Sequence, residues 1–126
     1  MKLLAATVLL IAGPVQAGPR TVPIVTVAEA PRDCPLTVSF ASYAMGIDGR
    51  AFERVSALLV RDRGVRAIEQ YRWGREGEVT LCARVRSGAD ARRLFVRVRA
   101  LVPAKPRGPV TLTAGQMHYV TPPLRR

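Results

Sequence analysis

Cys34 and Cys82 are the two cysteines of the chain, and a thiol can bridge, ligate a metal or attack a substrate. Metal binding fits poorly. The single histidine is His118, and no CxxC or HxxH spacing accompanies the cysteines. Hydrolysis by a serine or cysteine nucleophile needs a positioned base, and no motif surrounds His118. Paired carboxylates could exchange a proton as acid and base, and Asp48 with Glu76 is the pair the chain order could bring together. No catalytic constellation, cofactor motif or metal-ligand set stands out, which points away from an enzyme.

The fate of the cysteines turns on the compartment. Met1 and Lys2 start the chain, Leu3 to Gly13 form an apolar run, and Pro14 breaks it. Small residues in Val15-Gln16-Ala17 suit a signal peptidase, so residues 1–17 read as a cleavable leader and the chain as exported, to the periplasm or the medium. The run is too short to span a bilayer as a helix, so no transmembrane anchor is expected. In an exported chain an even pair of cysteines is expected as a disulfide, Cys34–Cys82.

Charge is the other compositional feature, though an arginine bias also follows from genomic base composition and is weak evidence for an acidic ligand. The net charge is +11, and only Lys2 and Lys105 are lysines, so nearly all of it is arginine. Such a charge attracts anionic partners.

Beyond the leader, residues 18–33 hold Pro19, Pro23 and Pro31 and read as an extended arm, with Val25-Thr26-Val27 able to form an edge strand. A single α+β domain is expected over 34–121, followed by a polar tail, 122–126. Leu36 to Ser42 alternates as a half-buried strand, with Leu36, Val38 and Phe40 on one face. Asp48 is placed to cap a helix over Gly49 to Asp62, whose Phe52, Val55, Leu58 and Leu59 share a face. Gly64 is placed to end it in a left-handed turn.

Arg66 to Trp73 and Val79 to Val85 read as a hairpin around Gly74-Arg75-Glu76-Gly77. Ser87 to Asp90 has the form of a capping box. Residues 91–102 carry two patterns: a helical stripe from Ala91 to Val102, and a short alternation over Val96 to Arg99. The stripe accounts for more residues, so helix is favoured. Pro109 to Thr113 is a strand, and Gln116 to Val120 can form another after an Ala114-Gly115 turn.

The core order is strand, helix, strand, strand, helix, strand. It resembles the split βαβ arrangement of ferredoxin-like folds, which implies a four-stranded antiparallel sheet with two helices on one face. In that arrangement the strands at 36–42 and 79–85 are neighbours, which brings Cys34 toward Cys82. Strict alternation, however, sets Cys34 on the Leu36 face and Cys82 opposite Leu81, so the chain must break its alternation near Pro35.

The same topology gathers the loop Ser42 to Gly49 and the hairpin turn at one end. Ser42, Tyr43, Asp48, Arg72, Trp73, Arg75 and Glu76 are the candidate recognition surface there. Arg92, Arg93, Arg97 and Arg99 form a candidate basic helix face suited to an acidic protein or an anionic envelope surface. Nucleic acid is disfavoured: the strand at 79–85 lacks the base-stacking aromatics of RNA-binding sheets, and export removes the chain from cytoplasmic RNA. The expectation is a small exported, non-catalytic binding or accessory domain. The alternative is a small periplasmic enzyme or enzyme inhibitor using the 42–49 and 73–77 loops.

Overall fold

The structure, a computed structural model, describes residue 5, residues 7–10, residue 13 and residues 20–122. Most of the leader expected over 1–17, and residues 123–126 of the tail, lie outside the described residues.

Strands β1 (Ile24–Val27), β2 (Leu36–Phe40), β3 (Val65–Trp73), β4 (Glu78–Val85), β5 (Val110–Ala114) and β6 (Met117–Thr121) form one sheet. Helix α1 (Gly49–Arg61) follows β2, and α2 (Gly88–Leu101) follows β4. The sheet order is β1-β3-β4-β2-β5-β6. All neighbours are antiparallel except β1 and β3, which run parallel.

The sheet is therefore mixed and six-stranded, which overturns the expected four-stranded antiparallel ferredoxin-like sheet. Two causes account for the difference. The proline-rich arm does not stay loose: the Val22 amide donates to the Val60 carbonyl at 3.0 Å, and Ile24 pairs beside Ile68. β1 thereby covers an edge of β3 that would otherwise expose unpaired amides and carbonyls. At the other edge, Gly115 takes a φ of 57°, and this tight turn folds β6 back on β5.

Alternation decides which side of the sheet is dry. Leu36, Val38 and Phe40 of β2, Val79, Leu81 and Ala83 of β4, and Val110 and Leu112 of β5 are all buried on one face. Both helices close that face with Ala51, Val55 and Leu59 of α1 and Ala91, Leu94, Phe95 and Val98 of α2. No helix among the described residues covers the opposite face, where Thr37, Ser39, Thr80 and Thr111 lie half-buried.

The disulfide lies on that second face. Cys34 and Cys82 are bonded, with their Cα atoms 5.6 Å apart. The conflict of faces resolves because Cys34 precedes β2 and is not part of its alternation. Asp33 has a φ of 54°, and this left-handed residue turns the chain before Leu36. The Arg84 guanidinium holds the turn by donating to the carbonyls of Arg32 and Asp33 at 3.0 and 3.2 Å.

Gly64 does not end α1 in a left-handed turn. The cap is Asp62, in extended backbone, and Gly64 answers a different need. A Cβ placed there would lie 2.8 Å from Arg93 Nη2 and from Asp90 Cγ. A side chain there would push the ends of Arg93 and Asp90 away from the positions they hold at the α1–β3 junction.

Candidate functional site

The two ends of α1 carry different chemistry. With 13 residues rising about 1.5 Å each, they lie about 20 Å apart.

The Asp48 end holds the expected recognition surface, and its two loops do meet. Ser42 Oγ donates to Glu76 Oε2 at 2.9 Å, and the Gly46 amide donates to Ser42 Oγ at 2.9 Å. Glu76 thus fastens the 42–46 loop to the β3–β4 turn, where Gly74 and Gly77 adopt the positive φ their turn requires. Tyr43 and Met45 stand exposed at the loop tip, and Arg72 and Arg75 are exposed beside it. Trp73 points to the uncovered sheet face, where its Nε1 donates to Thr80 Oγ1 at 3.0 Å and Thr80 in turn meets Ser39 Oγ.

Asp48 serves the backbone. It accepts from the Ala51 amide at 3.1 Å and the Arg107 amide at 2.9 Å, tying the α1 N-terminus to the α2–β5 connection. Burial raises its pKa, but the Arg107 and Ala51 amides, the Arg107 charge and the Arg50 amide together outweigh burial and leave the carboxyl below the ordinary Asp value. A general acid at neutral pH requires the opposite shift. Asp48→Ala is expected to destabilise the domain by about 2 kcal/mol, near 1 for the helix cap and near 1 for the stranded Arg107 amide. Urea unfolding measures this, and a loss under about 0.5 kcal/mol would refute the structural role.

The other end of α1 is built around Asp62, whose side chain is 3% exposed. A carboxylate at a helix C-terminus faces the negative end of the dipole and needs compensation. Arg93 supplies it with two hydrogen bonds, 2.8 and 2.7 Å, while Arg97 adds one at 3.0 Å and the Gly64 amide one at 2.8 Å. Arg93 also reaches Asp90 at 3.1 Å. The Arg93 hydrogen bonds hold the Asp62 carboxyl below its ordinary value against the opposing effect of burial, helped by the Gly64 amide and the charges of Arg93 and Arg97. Asp62 raises the Arg93 pKa in return, with Asp90 adding to it.

Three clefts open around this cluster. One of about 590 Å³ lies between the helices, with Arg54, Arg61 and Arg97 above a floor of Ala57, Leu58 and Leu101. A second, about 530 Å³, runs toward β1 and includes Arg20, Arg63, Arg66 and Arg86. A third, about 370 Å³, joins them: it shares Arg61, Asp62 and Arg97 with the first and Asp62, Arg63 and Arg86 with the second, and adds Arg93 and Asp90. Eight arginines therefore line a continuous track that holds two carboxylates, Asp62 and Asp90.

The expected basic helix face is divided by this arrangement. Arg93 and Arg97 turn toward Asp62. Arg99 stacks over the Tyr119 ring, its Cζ 4.4 Å from the centroid, and Arg92 remains exposed. The arginines that complete the track, at 20, 54, 61, 63, 66 and 86, come from the arm, from α1 and its junction with β3, and from the β4–α2 junction. One trace was visible in sequence: Arg61-Asp62-Arg63-Gly64-Val65-Arg66 concentrates cations where a helix should stop.

Against known proteins, no family model, curated protein or solved structure matches the chain.

Proposed function

We propose that this chain is a small exported, non-catalytic binding or accessory domain whose arginine-lined end holds an acidic partner. One observation carries the proposal: eight arginines meet two carboxylates along connected clefts, so the track keeps a large excess of positive charge. Guanidinium groups match carboxylate and phosphate oxygens in paired hydrogen bonds, and their low hydration eases contact. Arg93 is already neutralised by Asp62 and Asp90. It serves as the frame, and the free charge stands on residues such as Arg61, Arg63 and Arg66.

The disulfide and the leader pattern support an exported setting, and no helix among the described residues is long and apolar enough to cross a membrane. The acidic partner is thus met through a surface.

The test separates this track from net charge alone. Arg63→Gln with Arg66→Gln removes two charges from the track, and Arg72→Gln with Arg75→Gln removes two from the opposite end. With a fluorescent oligoglutamate at low salt, the first pair is expected to weaken binding about fivefold, taking about 0.5 kcal/mol for each rim charge. The second pair is expected to change it less than twofold. Equal losses from both pairs would mean that the chain's overall charge, not this track, does the binding.

A further inference from the structure

We infer, resting on that acidic-partner reading, that the partner is an extended acidic polypeptide anchored by an aliphatic side chain in the groove between α1 and α2. Three features of the track lead there.

The first is continuity. The clefts share walls, so the site is longer than any single oxyanion and suits a chain laid from the helix pair toward β1. The second is the floor of the helix groove. On α1, Arg54, Ala57, Leu58 and Arg61 fall at i, i+3, i+4 and i+7, one stripe with a cation at each end and apolar residues between. On α2, Arg97 and Leu101 repeat the theme at i and i+4. Leu58 and Leu101 are only half-buried, and Ala57 is exposed, so apolar surface is open between cations. Its volume of about 590 Å³ lies in the usual range for a ligand site.

The third is what the walls do not contain. No aromatic side chain lines any of the three clefts, so bases would find guanidinium planes but no aromatic platform to stack on. The clefts are open to solvent and follow one another in a row, which gives an extended chain a path along them. Carboxylates along the track, with an aliphatic side chain at its helix end, match both the charge and the floor. Arg61 and Arg97, which line both the groove and the joining cleft, would meet the carboxylate next to the anchor.

Two labelled peptides test this: ten glutamates, and eight glutamates ending in two leucines. Anisotropy at low salt is expected to show the leucine-ended peptide binding the wild-type chain about tenfold more tightly. Ala57→Gln fills the groove from an exposed helix position without changing charge. It is expected to abolish most of that gain while leaving the all-glutamate peptide within twofold. Far-ultraviolet circular dichroism confirms that the variant is folded. If both peptides bind wild type equally and with salt dependence, the anchor is overturned and the acidic-partner reading stands. If neither peptide binds but phosphatidylglycerol vesicles or a DNA oligomer do, the polypeptide assignment is overturned in favour of those surfaces. If none of these probes binds, the acidic-partner reading falls with it.

Discussion

Reducing the Cys34–Cys82 bond is expected to lower the unfolding free energy by about 4 kcal/mol, the chain-entropy value for a loop closed across 48 residues. Small domains are stable by only about 5–15 kcal/mol, so the loss is a large share of the whole. The bond closes a loop containing β2, α1, β3 and most of β4, and so restrains the unfolded chain across more than half of the sheet. In the folded state it joins the turn before β2 to the middle of β4, where Thr37 and Cys82 are paired in register. Urea unfolding with and without a reducing agent measures the difference: the midpoint should fall, and the slope should rise because the reduced unfolded chain is free to expand. Cys34→Ala with Cys82→Ala supplies the same comparison without reductant, with a small added cost because Cys82 is fully buried. A loss below about 1 kcal/mol would show that the unfolded chain is already restrained elsewhere. An unfolded chain upon reduction would tie folding to an oxidising compartment.

The local structure was largely legible in sequence because it rests on periodicity and caps. Asp48 and Ser87 cap their helices as their types suggest, each accepting from an amide three residues on. The ambiguous segment at 91–102 settles by burial. A strand would place Val96 and Val98 on one face, yet Val96 is 60% exposed and Val98 fully buried, as a helix requires. The sheet was less legible. Ile24–Val27 is too short to show a period, and its parallel place beside β3 depends on the Val22–Val60 hydrogen bond, a contact far apart in sequence. The β5–β6 hairpin hinges on one glycine φ.

The meeting of the two loops was anticipated from the assumed strand pairing, whose β2–β4 and β3–β4 neighbours are present and bring Ser42 and Gly46 to Glu76. The arginine track was not. Its pairing depends on Asp62 meeting Arg93 and Arg97, 31 and 35 positions later, and on a missing Cβ at Gly64. Sequence could count the arginines but not divide them into those neutralised by carboxylates and those left free. That division separates a solvated helix face from a binding track.

Asp62→Asn should separate stability from binding. Asp62 is buried and accepts from Arg93, Arg97 and Gly64, while both arginines reach solvent and Arg93 keeps Asp90, so losing the Asp62 charge is expected to destabilise the domain by about 2 kcal/mol at neutral pH. Asp62 has a folded pKa held below its unfolded value of about 3.9. Such a group contributes fully above the unfolded value, and its contribution is lost as pH falls through the folded one. The wild-type chain should therefore lose stability below about pH 4, and the Asn variant should show a shallower fall there. The Asp48 and Asp90 carboxyls, also held low, act in the same direction and keep some acid sensitivity in the variant. Binding should move the other way. Removing a carboxylate frees Arg93 and Arg97 within the track, so the folded variant is expected to hold oligoglutamate at least as tightly as wild type. Measured at a urea-free temperature where circular dichroism shows both chains folded, weaker binding by the variant would mean that Asp62 positions the arginines for the partner and is more than their counter-ion. Unchanged stability would mean that Arg93 and Arg97 are held by the surrounding packing and the buried carboxylate does little to fix the junction.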